Sequence, residues 1–241
     1  MVKILSIGNS FSQDCTRYLY GIARADGVEM KVVNLYIGGC DLARHYRNMI
    51  SEEAAYSYEI DGIKSGLFIS LKNALLSDQW DIVTVQQQSL QSASIETFSP
   101  YFEELVAYVR KMQPKCKLYV NQTWAYANGS EKMEKSPFTS HEEMFRAIRG
   151  SYEVAARIVN AFGLIPTGEA MAEAVRRGRE DVHRDGFHLS HSFGRYLAAL
   201  VWYKALLGRD VTENTFRDFD KPTSEADVLA AKEIATLVTH S

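Results

Sequence analysis

The sequence predicts an α/β domain in which helices cover both faces of a mostly parallel sheet of about five strands. The main observation is that short apolar and β-branched runs alternate with longer segments of helical period, as in a parallel sheet buried on both faces. The second is the composition: 46% of the 241 residues are hydrophobic and 24% are charged, unlike a disordered chain. No Pro/Gly/Ser-rich linker or internal repeat divides the chain, so we expect one three-layer α/β/α domain over residues 1–241.

The predicted elements follow one another along the chain. Strands are predicted at 2–7, 31–36, 81–86, 117–121 and 163–166, and helices at 14–26, 66–77, 100–113, 141–161, 168–178, 190–207 and 224–238. The dipeptide Asp61-Gly62 between two apolar-alternating flanks predicts a β-hairpin, which we interpret as a small insertion near 56–69 over the functional site. The polar segment 127–140 predicts a long, mobile loop.

Charge and composition exclude several classes of function. There are 27 basic and 30 acidic residues, a net charge of -3, and no basic cluster, so we expect no nucleic-acid partner. The longest apolar-rich run, 196–207, is too short to cross a bilayer and contains Lys204. The N-terminus lacks the apolar core of a secretion signal, which predicts a cytoplasmic protein. Cys15, Cys40 and Cys116 have neither disulfide-framework nor zinc-knuckle spacing and are expected to be reduced thiols.

A serine-bearing turn follows the first predicted strand, in the sequence IGNSFS at 7–12. A serine at a strand-to-helix turn places its hydroxyl at the carboxyl edge of the sheet, where the free N–H groups of the helix start favour an oxyanion. Ser10 is therefore a candidate nucleophile. The alternative is that Ser10 or Ser12 only caps the helix.

A second candidate cluster precedes the predicted helix 190–207. Asp185 lies three residues before His188, a spacing that can place its carboxylate on the imidazole Nδ1 while Nε2 faces a serine. Two alternatives remain: Asp185 begins an ordinary turn, or it binds a divalent metal together with His183, His188 and His191. The histidines lack i, i+4 spacing, which disfavours the metal.

Two further loops end predicted strands with unusual residues. Gly38 and Gly39 follow the second strand, and paired glycines allow a backbone N–H to approach a ligand closely, although they are also common in turns. The segment 86–89, three glutamines and a serine, follows the third strand. Buried amides need partners, so at least one should face a polar pocket unless the loop is solvated.

The chain order Gly-x-Ser, Gly, amide, Asp-x-x-His resembles that of the SGNH (GDSL-type) hydrolases, in particular a bacterial branch with a Gly-Asn-Ser-Phe-Ser first block. IGNSFS at 7–12 and DGFHLS at 185–190 are the most specific pieces, and the similarity runs from residue 4 to about 207. The resemblance implies a flavodoxin-like fold and no cofactor. It also implies that Ser10 is the nucleophile, His188 the base and Asp185 the orienting acid, with the N–H groups of Ser10 and Gly39 in the oxyanion hole.

The third block departs from the family pattern. The usual Gly-x-Asn-Asp is replaced by glutamines, so either Gln88 or Gln86 would supply the third oxyanion donor, and the sequence leaves this choice open. Trp124 and Tyr126 after the fourth strand, with Gln87, are candidates to contact substrate; packing is the alternative for the two rings.

We therefore predict a serine esterase that hydrolyses a short-chain ester, with an O-acetyl group on a carbohydrate as the candidate substrate. A non-catalytic carbohydrate- or ligand-binding protein on the same scaffold is the main alternative. A nucleotide-binding flavodoxin-like protein is a third, disfavoured because the first loop lacks a glycine-rich phosphate signature.

Overall fold

A seven-stranded sheet forms the centre of the computed structural model, which describes residues 1–239. The strands are β1 Val2–Gly8, β2 Met30–Tyr36, β3 Tyr56–Ile60, β4 Ile63–Ile69, β5 Ile82–Val85, β6 Lys117–Asn121 and β7 Gly163–Ile165. The helices in this part of the chain are α1 Ser10–Thr16, α2 Leu19–Ala25, α3 Leu42–Ser51, α4 Leu71–Leu76, α5 Tyr101–Met112, α6 Glu131–Glu134, α7 His141–Ile158, α8 Thr167–Arg176, α9 Phe193–Leu207 and α10 Glu225–Val238.

The sheet has the order β4-β3-β2-β1-β5-β6-β7. Five strands, β2, β1, β5, β6 and β7 in sheet order, are parallel and correspond to the five predicted strands, which confirms the predicted fold class. The predicted total of five is too small, because β3 pairs antiparallel with β2 and β4 pairs antiparallel with β3. The segment predicted to cover the site thus extends the sheet edge.

Successive side chains along each central strand point to opposite faces of the sheet and pack into two separate apolar cores. In β1, Ile4 packs with residues of α1, α2, α9 and α10, while its neighbour Leu5 packs with residues of α3, α4, α5 and α7. Both side chains are fully buried. The sheet is therefore covered by helices on both faces, as its continuous apolar strands require.

Several helix boundaries differ from the prediction. The helix predicted at 14–26 begins at Ser10, where Asn9 caps it, and divides into α1 and α2. Residues 66–69 of the helix predicted at 66–77 belong to β4, and α4 begins after the cap residue Ser70. The segment 127–140 contains the short helix α6, in which Met133 is buried. No helix within residues 1–239 is long and apolar enough to span a membrane.

The chain changes direction across the sheet at β1. It passes from β1 to β2 on one side and later returns to β5 on the other. Ligands of open parallel sheets bind outside the carboxyl ends of the strands at such a switch point. A ligand is therefore expected to bind at the loops that follow β1, β2 and β5.

Candidate active site

Ser10 is the first residue of α1, directly after the end of β1. The side chain of Asn9 accepts a hydrogen bond from the Phe11 N–H at 3.0 Å and so fixes the turn. Ser10 is half-buried and borders a cavity. Ser12, in contrast, is fully buried, and its Oγ lies 2.7 Å from Asn34 Oδ1. Of the two serines in this turn, Ser10 is the one that can reach a ligand.

The structure brings Ser10, His188 and Asp185 together. Ser10 Oγ lies 2.9 Å from His188 Nε2, and His188 Nδ1 lies 2.7 Å from Asp185 Oδ2. An ionised carboxylate only accepts hydrogen bonds, so Nδ1–H is the donor to Asp185 and Nε2 is left to accept the serine proton. This arrangement has the geometry of a nucleophile, a base and an orienting acid.

The loop that carries Asp185 and His188 is held in a tight turn. Gly186 has φ +86°, and a Cβ built there would lie 2.5 Å from Ser130 Cβ, so no larger residue fits. Burial raises the pKa of Asp185, but hydrogen bonds from the side chain and the backbone N–H of His188 lower that pKa by more. The net result is a pKa below the usual aspartate value, so the carboxylate is ionised at neutral pH.

Asn9 ties together the three loops of the switch point. Its Nδ2 donates to Cys40 O at 3.0 Å, and its Oδ1 accepts from Gln86 Nε2 at 3.0 Å as well as from the first turn of α1. An aspartate could not make the first of these bonds, because a carboxylate has no donor. Sequence reasoning did not identify this role, although an Asn before a helix does indicate a cap.

The structure distinguishes the two candidate glutamines. Gln86 is buried and does not line the cavity; its Nε2 donates to Asn9 Oδ1, and its Oε1 accepts from Asn121 Nδ2 at 2.7 Å. Gln88 borders the cavity, and its Nε2 contacts Ser89 Oγ at 3.1 Å, which leaves a second amide hydrogen. The prediction of Gln86 as an oxyanion donor is therefore wrong for this geometry, and Gln88 is the remaining side-chain candidate.

Two backbone groups also face this region. Gly39 borders the cavity in the left-handed conformation, with φ +62°. Within residues 1–239, neither the Gly39 N–H nor the Ser10 N–H donates to a protein acceptor. Both are thus available to a ligand, as an oxyanion hole would require.

The cavity has a volume of about 350 Å³ and lies beside Ser10. Its walls come from the loops after β1, β2 and β5, together with α6 and the loop before α9; they are Asn9, Ser10, Phe11, Tyr36, Gly38, Gly39, Gln88, Ser89, Lys132, Phe187 and His188. A larger cavity of about 790 Å³ flanks β7, but all of its charged lining residues except Lys204 pair with one another, as Arg149 does with Glu169, and its lining contains no serine or histidine. We therefore place the site at Ser10.

Three residues predicted to contact substrate do not line this cavity. Gln87 is fully buried and bonded to the Leu42 N–H and to Thr97 O. Trp124 is also fully buried and stacks on Phe11, with ring centroids 3.9 Å apart.

Tyr126 is 3% exposed and bonds Ser89 through its hydroxyl. These three side chains are packed behind the residues that line the cavity, so the prediction that they contact substrate is corrected. Phe11, Tyr36 and Phe187 are the aromatic residues that line the cavity instead.

A buried carboxylate joins the helix of Ser10 to the loop of His188. Asp14 is fully buried; it accepts from Arg195 Nε at 2.8 Å, from Arg184 Nη1 at 3.0 Å and from the Leu189 N–H at 3.0 Å. Leu189 directly follows His188 in the sequence. Asp14 therefore fixes the distance between the two elements that meet at the site, a function that sequence analysis did not assign.

The histidines considered as metal ligands do not converge. His183 Nε2 lies 3.1 Å from Ala125 O, and both ring nitrogens of His188 are engaged by Ser10 and Asp185. In the described part of the chain, no group of three or more His, Cys, Asp or Glu residues is placed to hold a metal ion. The side-chain placement thus gives no support to the metal alternative.

Comparison with known proteins identifies relatives along nearly the whole chain. The DUF4886 family model, described as a domain of unknown function, matches residues 3–236. A DUF4886 family protein from Bacteroides uniformis is 32% identical, with a TM-score of 0.90 over 99% of this chain and 95% of that one. No curated protein has a matching sequence.

More distant structures share the fold. A candidate SGNH hydrolase from Slackia heliotrinireducens is 24% identical, with a TM-score of 0.58 over 85% of this chain and 98% of that one. A family 3 carbohydrate esterase from Talaromyces cellulolyticus is 12% identical, with a TM-score of 0.58 over 86% and 97%. These similarities confirm the fold implied by the sequence resemblance, that of the SGNH hydrolases.

Proposed function

The chain belongs to the DUF4886 family, and we propose that it is a serine hydrolase that cleaves a short-chain ester. The observation that carries this proposal is the contact of Ser10 Oγ with His188 Nε2 at 2.9 Å, with Asp185 on the opposite nitrogen of the same ring. The fold shared with esterases supports it. The backbone N–H groups of Ser10 and Gly39 and the side-chain amide of Gln88, beside the same cavity, are suited to stabilise the oxyanion that such a reaction forms.

The reaction proceeds in two halves. His188 Nε2 takes the hydroxyl proton as Ser10 Oγ bonds to the carbonyl carbon, and the N–H groups of Ser10 and Gly39 stabilise the oxyanion. His188 then gives that proton to the leaving alcohol as its C–O bond breaks. Water, deprotonated by His188, attacks the acyl-enzyme, the carboxylic acid leaves, and Ser10 regains its proton.

The finer proposal is that the ester is an O-acetyl group on a carbohydrate. The cavity is small, about 350 Å³, and Gln88 and Ser89 in its wall offer polar contacts. The rings of Tyr36 and Phe187 can stack on a sugar face. A long acyl chain would bury the second amide hydrogen of Gln88 without a partner, at a cost of about 1 to 3 kcal/mol.

Turnover of p-nitrophenyl acetate tests the proposal. Ser10→Ala and His188→Ala should each lower kcat/KM about a thousandfold or more, and the double variant should be hardly worse, because the two side chains act as a unit. Ser12→Ala is the matched control; it removes a neighbouring buried hydroxyl and should retain most of the activity. Additive losses, or an equal loss in Ser12→Ala, would contradict the assignment.

Wild-type protein that turns over no ester while binding carbohydrate would instead support the non-catalytic alternative.

A further inference from the structure

The cavity beside Ser10 has a cationic mouth. Lys132, an exposed residue of α6, is the one lining residue within the described chain that carries a permanent charge, and no lining residue is acidic. Its Nζ lies 4.9 Å from the centroid of the Phe187 ring, which forms part of the wall. This contact holds the ammonium group close to the cavity while one side of it remains in solvent.

A second lysine stands over another wall of the cavity. Lys64, on the exposed edge strand β4, has its Nζ 5.7 Å from the centroid of the Tyr36 ring. Tyr36 lines the cavity at the end of β2. The hairpin that extends the sheet therefore brings a charge to the rim, although it contributes no lining residue.

None of the carboxylates near these lysines lines the cavity. Glu59, opposite Lys64 in the pairing of β3 with β4, is buried and accepts from Asn34 Nδ2. Asp185 bonds to His188, and Glu131, the neighbour of Lys132 in sequence, pairs with Lys135. Over residues 1–239, neither Lys132 nor Lys64 forms an ion pair. With the two positive charges at the mouth and the nearest carboxylates outside the cavity lining, the mouth attracts anions and disfavours cations.

We infer that Lys132 and Lys64 select an ester that carries an anionic group, a carboxylate or a phosphate, on its alcohol part. The inference rests on the proposed function, because it assigns the chemistry of the substrate that Ser10 attacks. Lysine is a compact point charge without the planar fork of arginine, so it selects charge and not one particular anion. Neutral esters reach the same nucleophile but gain nothing from the cationic mouth.

Matched aryl acetates test this inference. The probes are 4-acetoxybenzoate, 4-acetoxyphenyl phosphate and the neutral 4-acetoxybenzamide, and the readout is the ratio of anionic to neutral kcat/KM in each variant relative to wild type. Lys132→Met should lower this ratio about fivefold and Lys132→Glu about tenfold or more, the range of a charge at a partly exposed rim. Lys64→Met, one ring farther from the cavity, should lower it about twofold. The anionic ester with the larger loss identifies the preferred group.

Lys111→Met is the matched control, since it removes the charge of an exposed lysine of α5 that lies outside the cavity, and it should not change the ratio. In wild type the ratio should also fall when the salt concentration is raised. A ratio that stays constant in Lys132→Glu overturns the inference even if every ester is hydrolysed. If no ester is hydrolysed, the proposed function fails. Calorimetric binding of the same three compounds then tests the charge preference separately. Equal affinities of wild type and Lys132→Glu for the anionic compounds overturn the inference.

Discussion

The replacement of Asp14 by asparagine tests whether the buried carboxylate holds the two halves of the site together. Asp14 is fully buried and receives hydrogen bonds from two arginines and from the Leu189 N–H. Removal of one partner from a buried ion pair costs about 3 to 5 kcal/mol. We expect the lower end of this range, because Arg195 Nη1 also bonds to Asp220 at 2.9 Å and so keeps one carboxylate partner when Asp14 is replaced.

An expected change in melting temperature follows from the size of the protein. A chain of 241 residues has an unfolding entropy of about 0.5 kcal/mol/K, so a loss of about 3 kcal/mol lowers Tm by about 6 °C. Because the neighbour of Leu189 is His188, the Ser10–His188 distance should also lengthen. A shift of about 1 Å lowers kcat/KM up to a hundredfold.

Calorimetry and p-nitrophenyl acetate kinetics below the transition measure both effects. Asp181→Asn is the matched control, because Asp181 pairs with Arg179 at the surface and such pairs contribute about 1 kcal/mol or less. The reasoning is refuted if Asp14→Asn melts within 2 °C of this control, a difference of about 1 kcal/mol. Full activity in a destabilised variant would refute the positioning role alone.

Three further results are expected. Gln88→Ala should lower kcat about a hundredfold with little change in KM, which is the usual effect of removing one oxyanion donor. Gln86→Ala should chiefly lower Tm, because it removes a hydrogen-bond partner from Asn9 and from Asn121. Equal kcat in wild type and Gln88→Ala would show that the backbone donors suffice. Burial lowers the pKa of His45 from 6.5 to about 4. The unfolded chain therefore binds more protons between these values, and acidification from pH 7 to 4 should lower the free energy of unfolding by about 3 kcal/mol through this residue; urea titrations of His45→Gln should show a pH dependence smaller by that amount, and an unchanged dependence would contradict it. Last, kcat/KM should fall from p-nitrophenyl acetate to butyrate to octanoate, and a tenfold preference for octanoate would exclude the short-acyl proposal.

Local sequence patterns predicted the parts of the site that are themselves local. Asp185 and His188 are three residues apart, so a single turn with Gly186 decides whether they meet. Ser10 likewise owes its position to a strand end and a helix cap that adjoin it in sequence. Parallel strand order then places these two loops at one edge, a rule that needs no side-chain detail.

Features that depend on partners distant in sequence could not be predicted in this way. The hairpin signal at Asp61-Gly62 was clear, but nothing local shows that β3 pairs with β2. The same limit applies to Trp124, which could face a sugar or pack on Phe11, since an indole suits both. Asp14 is one acidic residue among 30 in the sequence, and only its arginine partners, at positions 184 and 195, reveal its role.

Covalent labelling of Ser10 tests the central claim most directly. A fluorophosphonate reacts with a serine only where a base activates the hydroxyl and donors stabilise the developing oxyanion. We expect mass spectrometry to show one adduct on the peptide that contains Ser10 in wild type and in Ser12→Ala, and none in Ser10→Ala or His188→Ala. An adduct that persists in Ser10→Ala, or the absence of any adduct in the folded wild-type protein, would contradict the account.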